Sequence, residues 1–157
     1  MDDDFSLAAA ALPDLPELFC CLDGLYFGGS LQGGGVRVEW SDRMTQCAGV
    51  CYLKAGREVV IRMSRRLLQF RPVGDTVNTL LHEMIHARLF LFPERARLSY
   101  IDRDGHGPDF LGWAERINQR AGSSITVYHS FHREVAELRQ HVWRCEGPCR
   151  ERAPWYG

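Results

Sequence analysis

A strongly apolar stretch of the chain reads Asp75-Thr-Val-Asn-Thr-Leu-Leu-His-Glu-Met-Ile-His-Ala-Arg-Leu-Phe-Leu-Phe92 and is followed by Pro93. Its apolar spacing and the proline that ends it predict a helix with Asp75 as the N-cap. Nine of the thirteen residues between Leu80 and Phe92 are apolar. A helix that is apolar almost all round is buried, so we expect this helix to lie at the centre of the fold.

Three ionisable residues interrupt this apolar stretch in the pattern His82-Glu-Met-Ile-His86. Residues i and i+4 of a helix share one face, so His82 and His86 can bind the same metal ion, with Glu83 as the adjacent catalytic base. Buried unpaired charge is costly, and metal coordination is one of the few arrangements that compensates it. The alternative is a pair of hydrogen-bonded core histidines beside a surface glutamate.

A catalytic zinc usually has three protein ligands, and His106 is the candidate for the third. It lies in Asp104-Gly-His-Gly-Pro-Asp-Phe110, where glycines allow a sharp turn and Pro108 can open a helix. Spacing alone leaves other possibilities open, including a solvated loop histidine at 106. The rival ligands are His129, His132 and His141.

The rest of the chain alternates between helix and strand patterns. The predicted elements are a helix after Pro13-Asp14, strands at 36–40, 48–53 and 59–63, a helix from Pro108 to about Gly122, a short strand at 125–128, a short helix at 134–141 and a loop-like tail at 143–157. The second and third strands are expected to form a hairpin or a meander. Together these elements predict an α+β fold with helices packed on a small, mostly antiparallel sheet, whose edge strand would suit extended peptide binding.

Composition and charge limit the class of protein. The chain has 157 residues, of which 45% are hydrophobic and 25% charged, and no apolar run is long enough to span a membrane. The acidic start Met1-Asp-Asp-Asp4 is unlike a secretory signal. Membrane, fibrous and disordered classes are therefore excluded. Although the net charge is −1, the segment 57–71 is locally basic, which is compatible with DNA contact or with an ordinary solvated face.

Two cysteine pairs share the C-x3-C spacing that falls within the range of zinc half-sites. They are Cys47/Cys51 and Cys145/Cys149. Because Cys47, Gly49 and Cys51 would lie on one face of a strand, core packing is favoured over metal binding for the first pair.

Four blocks of the chain closely resemble the SprT-like metalloprotease family, and the likeness extends over roughly residues 14–157. The blocks are Leu80-Leu-His-Glu-Met-Ile-His86, Gly105-His-Gly-Pro-Asp-Phe110, Ile125-Thr-Val-Tyr-His129 and Trp143-Arg-Cys-Glu-Gly-Pro-Cys149. The resemblance implies a zincin-like domain at 14–142, after an acidic segment at 1–13. It also implies that His82, His86 and His106 bind zinc and that Glu83 is the catalytic glutamate.

The resemblance further implies a nuclear, chromatin-associated enzyme. Such an enzyme is activated by DNA with single-stranded features, cleaves proteins bound or crosslinked to DNA in DNA repair, and cleaves itself. Residues 143–157 would be an incomplete zinc-binding and DNA-contacting subdomain, because the second pair of zinc ligands would lie beyond Gly157. The family's tail with ubiquitin- and clamp-binding motifs would also lie there. The residues concerned are Cys145 and Cys149 for a second zinc, and Trp143, Arg144, Trp155 and Tyr156 for DNA.

Two other functions are compatible with the same sequence. One is a DNA-binding module that keeps the metalloprotease fold and uses zinc only structurally. The other is a zinc peptidase whose rate is indifferent to DNA.

Overall fold

Three strands form a mixed sheet in the computed structural model, which describes residues 11–93, 105–122, 125, 142–143, 146–148 and 155–156. The strands are β1 (Arg37–Ser41), β2 (Gly49–Leu53) and β3 (Val59–Ser64), in the spatial order β1-β3-β2. The central strand β3 is buried at every residue except Arg62, whereas β1 and β2 are partly exposed. The most apolar strand therefore takes the position that has a neighbour on both sides.

Strands β2 and β3 form the predicted hairpin. They pair antiparallel, and the Lys54 amide donates to the Glu58 carbonyl at 2.7 Å to close the turn. The meander alternative is wrong, because β1 lies parallel to β3, with Val38 opposite Ile61. One of the two strand pairs in this sheet is thus parallel, where a mostly antiparallel sheet was expected. Parallel neighbours need a long crossover connection, and here that connection contains β2 itself.

The helix that carries the His-Glu-His pattern is buried and packs on β2 and β3, as expected. It extends over Val73–Leu91, with Pro72 at the N-cap position, so the prediction of Asp75 as N-cap is wrong. The backbone of Pro72 is extended and its carbonyl accepts the Asp75 amide at 2.9 Å, which starts the helix earlier. The Asp75 carboxylate lies in the first turn, 3.4 Å from the Arg71 guanidinium. This helix is α4, because three shorter helices precede it in the chain.

Those three helices pack around α4 and the sheet. Helix α1 (Leu15–Leu22) has the predicted start, with the Asp14 side chain accepting the Glu17 amide at 2.9 Å. A π-helical turn (Asp23–Phe27) continues it, and the buried Asp23 carboxylate accepts the amides of Leu31 and Gln32. The sequence did not predict that turn or the two short helices. They are α2 (Ser30–Gly33) and α3 (Arg65–Leu68).

Helix α5 (Pro108–Ala121) begins and ends as predicted, with Pro108 in its first turn and Gly122 in the left-handed conformation that stops it. Its buried side, which includes Phe110 and Ile117, packs against α4. Helices packed on a small sheet therefore confirm the α+β expectation.

Two very short strands lie in the C-terminal part. Strand β4 (Val142–Trp143) pairs antiparallel with β5 (Trp155–Tyr156), so the prediction of a loop is wrong for these residues. The predicted strand at 125–128, apart from the buried Ile125, and the predicted helix at 134–141 lie outside the described residues. Among the helices that the structure describes, none has the length and apolarity needed to cross a bilayer.

Candidate metal centre

The structure brings together the three histidines that the sequence singled out. His82 and His86 lie one turn apart on α4, and His106 comes from the short segment before α5. The Nε2 atom of His82 is 3.0 Å from that of His106 and 3.2 Å from that of His86, and the His86–His106 distance is 3.2 Å. Three ring nitrogens from two separate parts of the chain thus converge on one point.

Mutual hydrogen bonds do not explain this triangle. The Nε2 atom of an imidazole is a donor when it carries a proton and an acceptor when it does not. Among three such atoms at least one pair must be two donors or two acceptors, so one of the three contacts is always repulsive. A cation that binds three acceptor nitrogens removes this conflict. The donor set therefore fits a metal ion and argues against hydrogen-bonded core histidines.

Two residues near the start of α5 enclose the histidine cluster. The buried ring of Phe110 lies 4.7 Å from the His82 ring and 4.8 Å from each of the other two histidine rings, centroid to centroid. Gly105 has a φ of +78°, and a β-carbon there would be 3.2 Å from Cε1 of His86. The sequence indicated that Gly105 allows a turn, but the role of Phe110 depends on how α5 packs against α4.

Glu83 is buried beside the histidines, with only 4% of its surface exposed, so the alternative of a surface glutamate is wrong. Its carboxylate accepts a hydrogen bond from the backbone amide of Cys51 in β2. Burial raises the pKa of Glu83 to about 8, and the bond from Cys51 opposes that shift. The carboxyl group therefore lies in a largely dry environment next to the metal centre.

Cys47 and Cys51 also lie near Glu83. Cys51 is partly buried and packs against the core. Cys47 lies before β2 and is exposed, so the expectation of core packing is wrong for Cys47. Desolvation of the sulfur, and secondly the charge of Glu83, raises the pKa of both thiols. Raised thiol pKa values disfavour the thiolate that metal binding requires.

The other predicted site residues lie in the C-terminal part. Trp143, Trp155 and Tyr156 belong to the backbone of β4 and β5, where Trp143 is opposite Trp155. Arg144, Cys145 and Cys149 lie outside the described residues. The predicted DNA contacts and the predicted second zinc therefore stay predictions.

In the folded protein, nearby carboxylates offset part of the positive charge of the basic segment 57–71. Carboxylates lie against three of its five arginines: Arg62 bonds to Glu39 at 2.7 Å, Arg65 lies 2.9 Å from Asp42, and Arg71 lies 3.4 Å from Asp75. Arg57 and Arg66 make no ion pair within the described part of the chain. They lie at opposite ends of β3, separated by about 20 Å of strand. This segment is therefore not one continuous basic surface.

The fold and the histidine cluster define an α+β protein with a three-histidine metal site. A model of the SprT-like family matches residues 15–129, and the chain belongs to that family. The resemblance seen in the sequence is thereby confirmed.

Several longer proteins have similar sequences. The "DNA-dependent metalloprotease dvc-1" of Caenorhabditis elegans is 50% identical over 161 residues, which cover all of this chain and 42% of that protein. The "DNA-dependent metalloprotease SPRTN" of Homo sapiens is 51% identical over 146 residues, which cover 92% of this chain and 28% of that protein. The relative with the same name in Danio rerio is 51% identical, with 22% of its length covered. The chain thus spans less than half the length of these curated relatives.

Proposed function

We propose that this chain is the catalytic part of a zinc-dependent, DNA-activated endopeptidase that cleaves proteins bound or crosslinked to DNA. The observation that carries the proposal is the convergence of three histidine Nε2 atoms next to a buried glutamate on the same helix. Burying a carboxyl group is costly, and a site built only to stabilise the fold has no need of one beside its metal ligands.

Zinc is the metal that best suits these ligands. Zinc–imidazole bonds are about 2.0–2.1 Å long, so one ion can reach three nitrogens that lie 3.0–3.2 Å apart. His82, His86 and His106 would hold it, and three protein ligands leave a position free for chemistry. When bound, zinc supplies Lewis-acid chemistry toward water and the scissile carbonyl.

Glu83 would act as the general base. It directly follows His82 on α4, and its burial beside that histidine keeps bulk water away from the carboxylate. In this role the carboxylate takes a proton from the attacking water and later gives it to the leaving amine. Among the described residues, no other carboxylate is both buried and adjacent to the histidine cluster.

The substrate would bind as an extended segment along β2. Hydrogen bonds from the Ser64 amide to the Ala48 carbonyl and from the Lys54 amide to the Glu58 carbonyl show which residues of β2 are hydrogen-bonded to β3. By the alternation of an antiparallel ladder, the amides and carbonyls of residues 49, 51 and 53 point away from β3. Within the described sheet β2 is an edge strand. Apart from the Cys51 amide, which donates to Glu83, the backbone groups of this row are open to a peptide.

DNA is the proposed activator because the relatives are named as DNA-dependent metalloproteases. Aromatic side chains that stack with unpaired bases are typical of single-strand binding, and three such residues lie in the paired strands β4 and β5. They are Trp143, Trp155 and Tyr156, with Arg144 next to Trp143 in the chain. We further propose a second zinc at Cys145 and Cys149, self-cleavage, and nuclear, chromatin-associated action in DNA repair.

The test is cleavage of a protein crosslinked to single-stranded DNA by zinc-loaded wild type and by Glu83→Gln, each with and without added DNA. We expect DNA-stimulated cleavage by wild type and a loss of about a hundredfold or more in Glu83→Gln, whose zinc content stays unchanged. Glu115→Gln is the matched control, because Glu115 is exposed on α5. Cleavage by Glu83→Gln at the wild-type rate would overturn the base assignment.

The same experiment separates the two other functions. DNA binding by both proteins without any cleavage would indicate a DNA-binding module with structural zinc. Equal rates with and without DNA would indicate a peptidase that is indifferent to DNA.

A further inference from the structure

We propose that Gly49 and Cys51 of β2 are positioning residues that hold the Glu83 carboxylate in place for proton transfer. This inference rests on the proposed function, since it concerns the residue that acts as the base there. It depends on a close approach between the edge strand β2 and helix α4. The His-Glu-His pattern gives no information about this approach, because β2 lies elsewhere in the chain.

Gly49 lies very close to the side chain of Glu83. A β-carbon at this position would lie 2.8 Å from Cγ of Glu83 and 3.1 Å from its Oε1 atom. It would also lie 2.9 Å from Cγ2 of Thr79, one turn earlier on the same helix. Carbon atoms in ordinary contact are about 3.5–4.0 Å apart, so even the smallest side chain would have to displace these groups.

The conformation of Gly49 does not by itself require glycine. Its φ is not positive, unlike that of Gly105 or Gly122, so an alanine could adopt the same backbone. Glycine in a strand weakens the strand, and it often marks a site where another group comes close. At Gly49 that group is the side chain of Glu83.

Cys51 provides a second constraint on the same side chain. In the β2–β3 hairpin, the backbone groups of residues 50 and 52 bond to β3. Because these groups alternate along an antiparallel strand, the Cys51 amide points away from β3. The amide donates instead to the Glu83 carboxylate. The side chain is therefore held by a donor at its oxygen atoms and by the backbone of Gly49 along its stem.

Two such constraints reduce the rotamer freedom of a long side chain that must be aligned for proton transfer. A displacement of about 1 Å at a reacting group can lower the rate by about a hundredfold. If Gly49 served packing alone, a larger residue would reduce stability and leave the turnover of the folded protein unchanged. If it positions Glu83, the folded, zinc-loaded variant turns over more slowly.

The first experiment compares Gly49→Ala with Gly74→Ala. Gly74 lies in the first turn of α4, and a β-carbon there would meet nothing within 4 Å. We expect zinc-loaded Gly49→Ala to lose about 10- to 100-fold in kcat, with KM and zinc stoichiometry within about twofold of wild type. Gly74→Ala should match wild type in all three. Wild-type kcat in folded, zinc-loaded Gly49→Ala would overturn the inference, whereas inactive wild type would overturn the proposed function.

The second experiment needs no activity and also covers a variant that fails to fold. Gly49→Ala and Glu83→Ala are combined in a double-mutant cycle on the metal-free protein, in a Thr79→Ser background that removes the competing methyl group. We expect Gly49→Ala to lower the urea midpoint when Glu83 is present, and by less than about half as much with Glu83→Ala. An equal loss with Glu83 and with Glu83→Ala would show that position 49 does not contact Glu83 and would overturn the inference.

Discussion

The ring of Phe110 lies 4.7 Å from the ring of His82, at nearly the same distance that separates it from the rings of His86 and His106. One buried side chain from α5 therefore contacts all three residues of the histidine cluster. Because the histidines come from two separate parts of the chain, this contact constrains their relative orientation.

Shortening this side chain should weaken metal binding. We expect Phe110→Leu to lower zinc affinity by about tenfold, because residues that orient metal ligands typically contribute about 10- to 100-fold to affinity. Competition with a chromophoric chelator measures the change. Phe27→Leu is the control, since Phe27 is also buried but stacks on Trp113 instead of on the histidines. Equal affinities in the two variants would contradict an orienting role for Phe110.

Gly105 and Gly122 provide a matched pair of substitutions. Both have positive φ, +78° and +61°, so alanine should cost each about 1–2 kcal/mol in stability. Only at Gly105 would the new β-carbon approach His86. We therefore expect both variants to show similar losses in urea unfolding, and only Gly105→Ala to lose zinc affinity. A loss of zinc affinity in Gly122→Ala as well would show that general destabilisation is responsible.

Burial of Glu83 predicts a pH-dependent stability of the metal-free protein. The pKa of this group is raised from 4.5 to about 8 in the folded state. Between these values the folded state binds a proton that the unfolded state has lost, so stability falls as the pH rises through this window. Metal-free Glu83→Gln lacks the ionisation and should be more stable than wild type at about pH 8.5, by on the order of a few kcal/mol. At about pH 4 that advantage should vanish in thermal unfolding, and a constant difference would refute the assignment.

If the chain binds DNA as proposed, the ion pairs of its arginines predict which of them contact phosphates. Arg57→Gln with Arg66→Gln should reduce the slope of log affinity against log salt by about 1.4 for single-stranded DNA, at about 0.7 per phosphate contact. Arg62→Gln with Arg65→Gln should change the slope less, because Glu39 and Asp42 already neutralise these side chains. Fluorescence anisotropy over a salt series measures both slopes. Equal changes would show that the ion pairs open on binding, and no change in either would exclude this segment.

Local patterns in the sequence predicted the elements that depend on local physics. The one-turn spacing of His82 and His86 placed both on a single helix face, and Pro108 and Gly122 marked the ends of α5. The hairpin of β2 and β3 followed from its turn. These features depend on residues that are close in the chain, where periodicity and capping determine the structure.

Features that depend on distant residues were missed. The parallel pairing of β1 with β3 has no local signal. The apolar pattern of a strand does not indicate whether its neighbour runs parallel or antiparallel to it. Counting charges along 57–71 could not reveal that Glu39 lies beside Arg62 across the sheet. In the same way, the sequence indicates only that Gly49 is a small residue in a strand. Its contact with Glu83 depends on the packing of α4 against β2.

The histidine cluster and Phe110 all come from residues 82–110, whereas the support of Glu83 comes from β2, far upstream in the chain. Metal binding and the support of the base therefore depend on different segments of the chain, although Glu83 itself lies between two of the histidines. Under the proposed function, variation in β2 would change turnover more than metal occupancy, and variation around Phe110 would change occupancy first. Selection would then act on the two properties through separate segments.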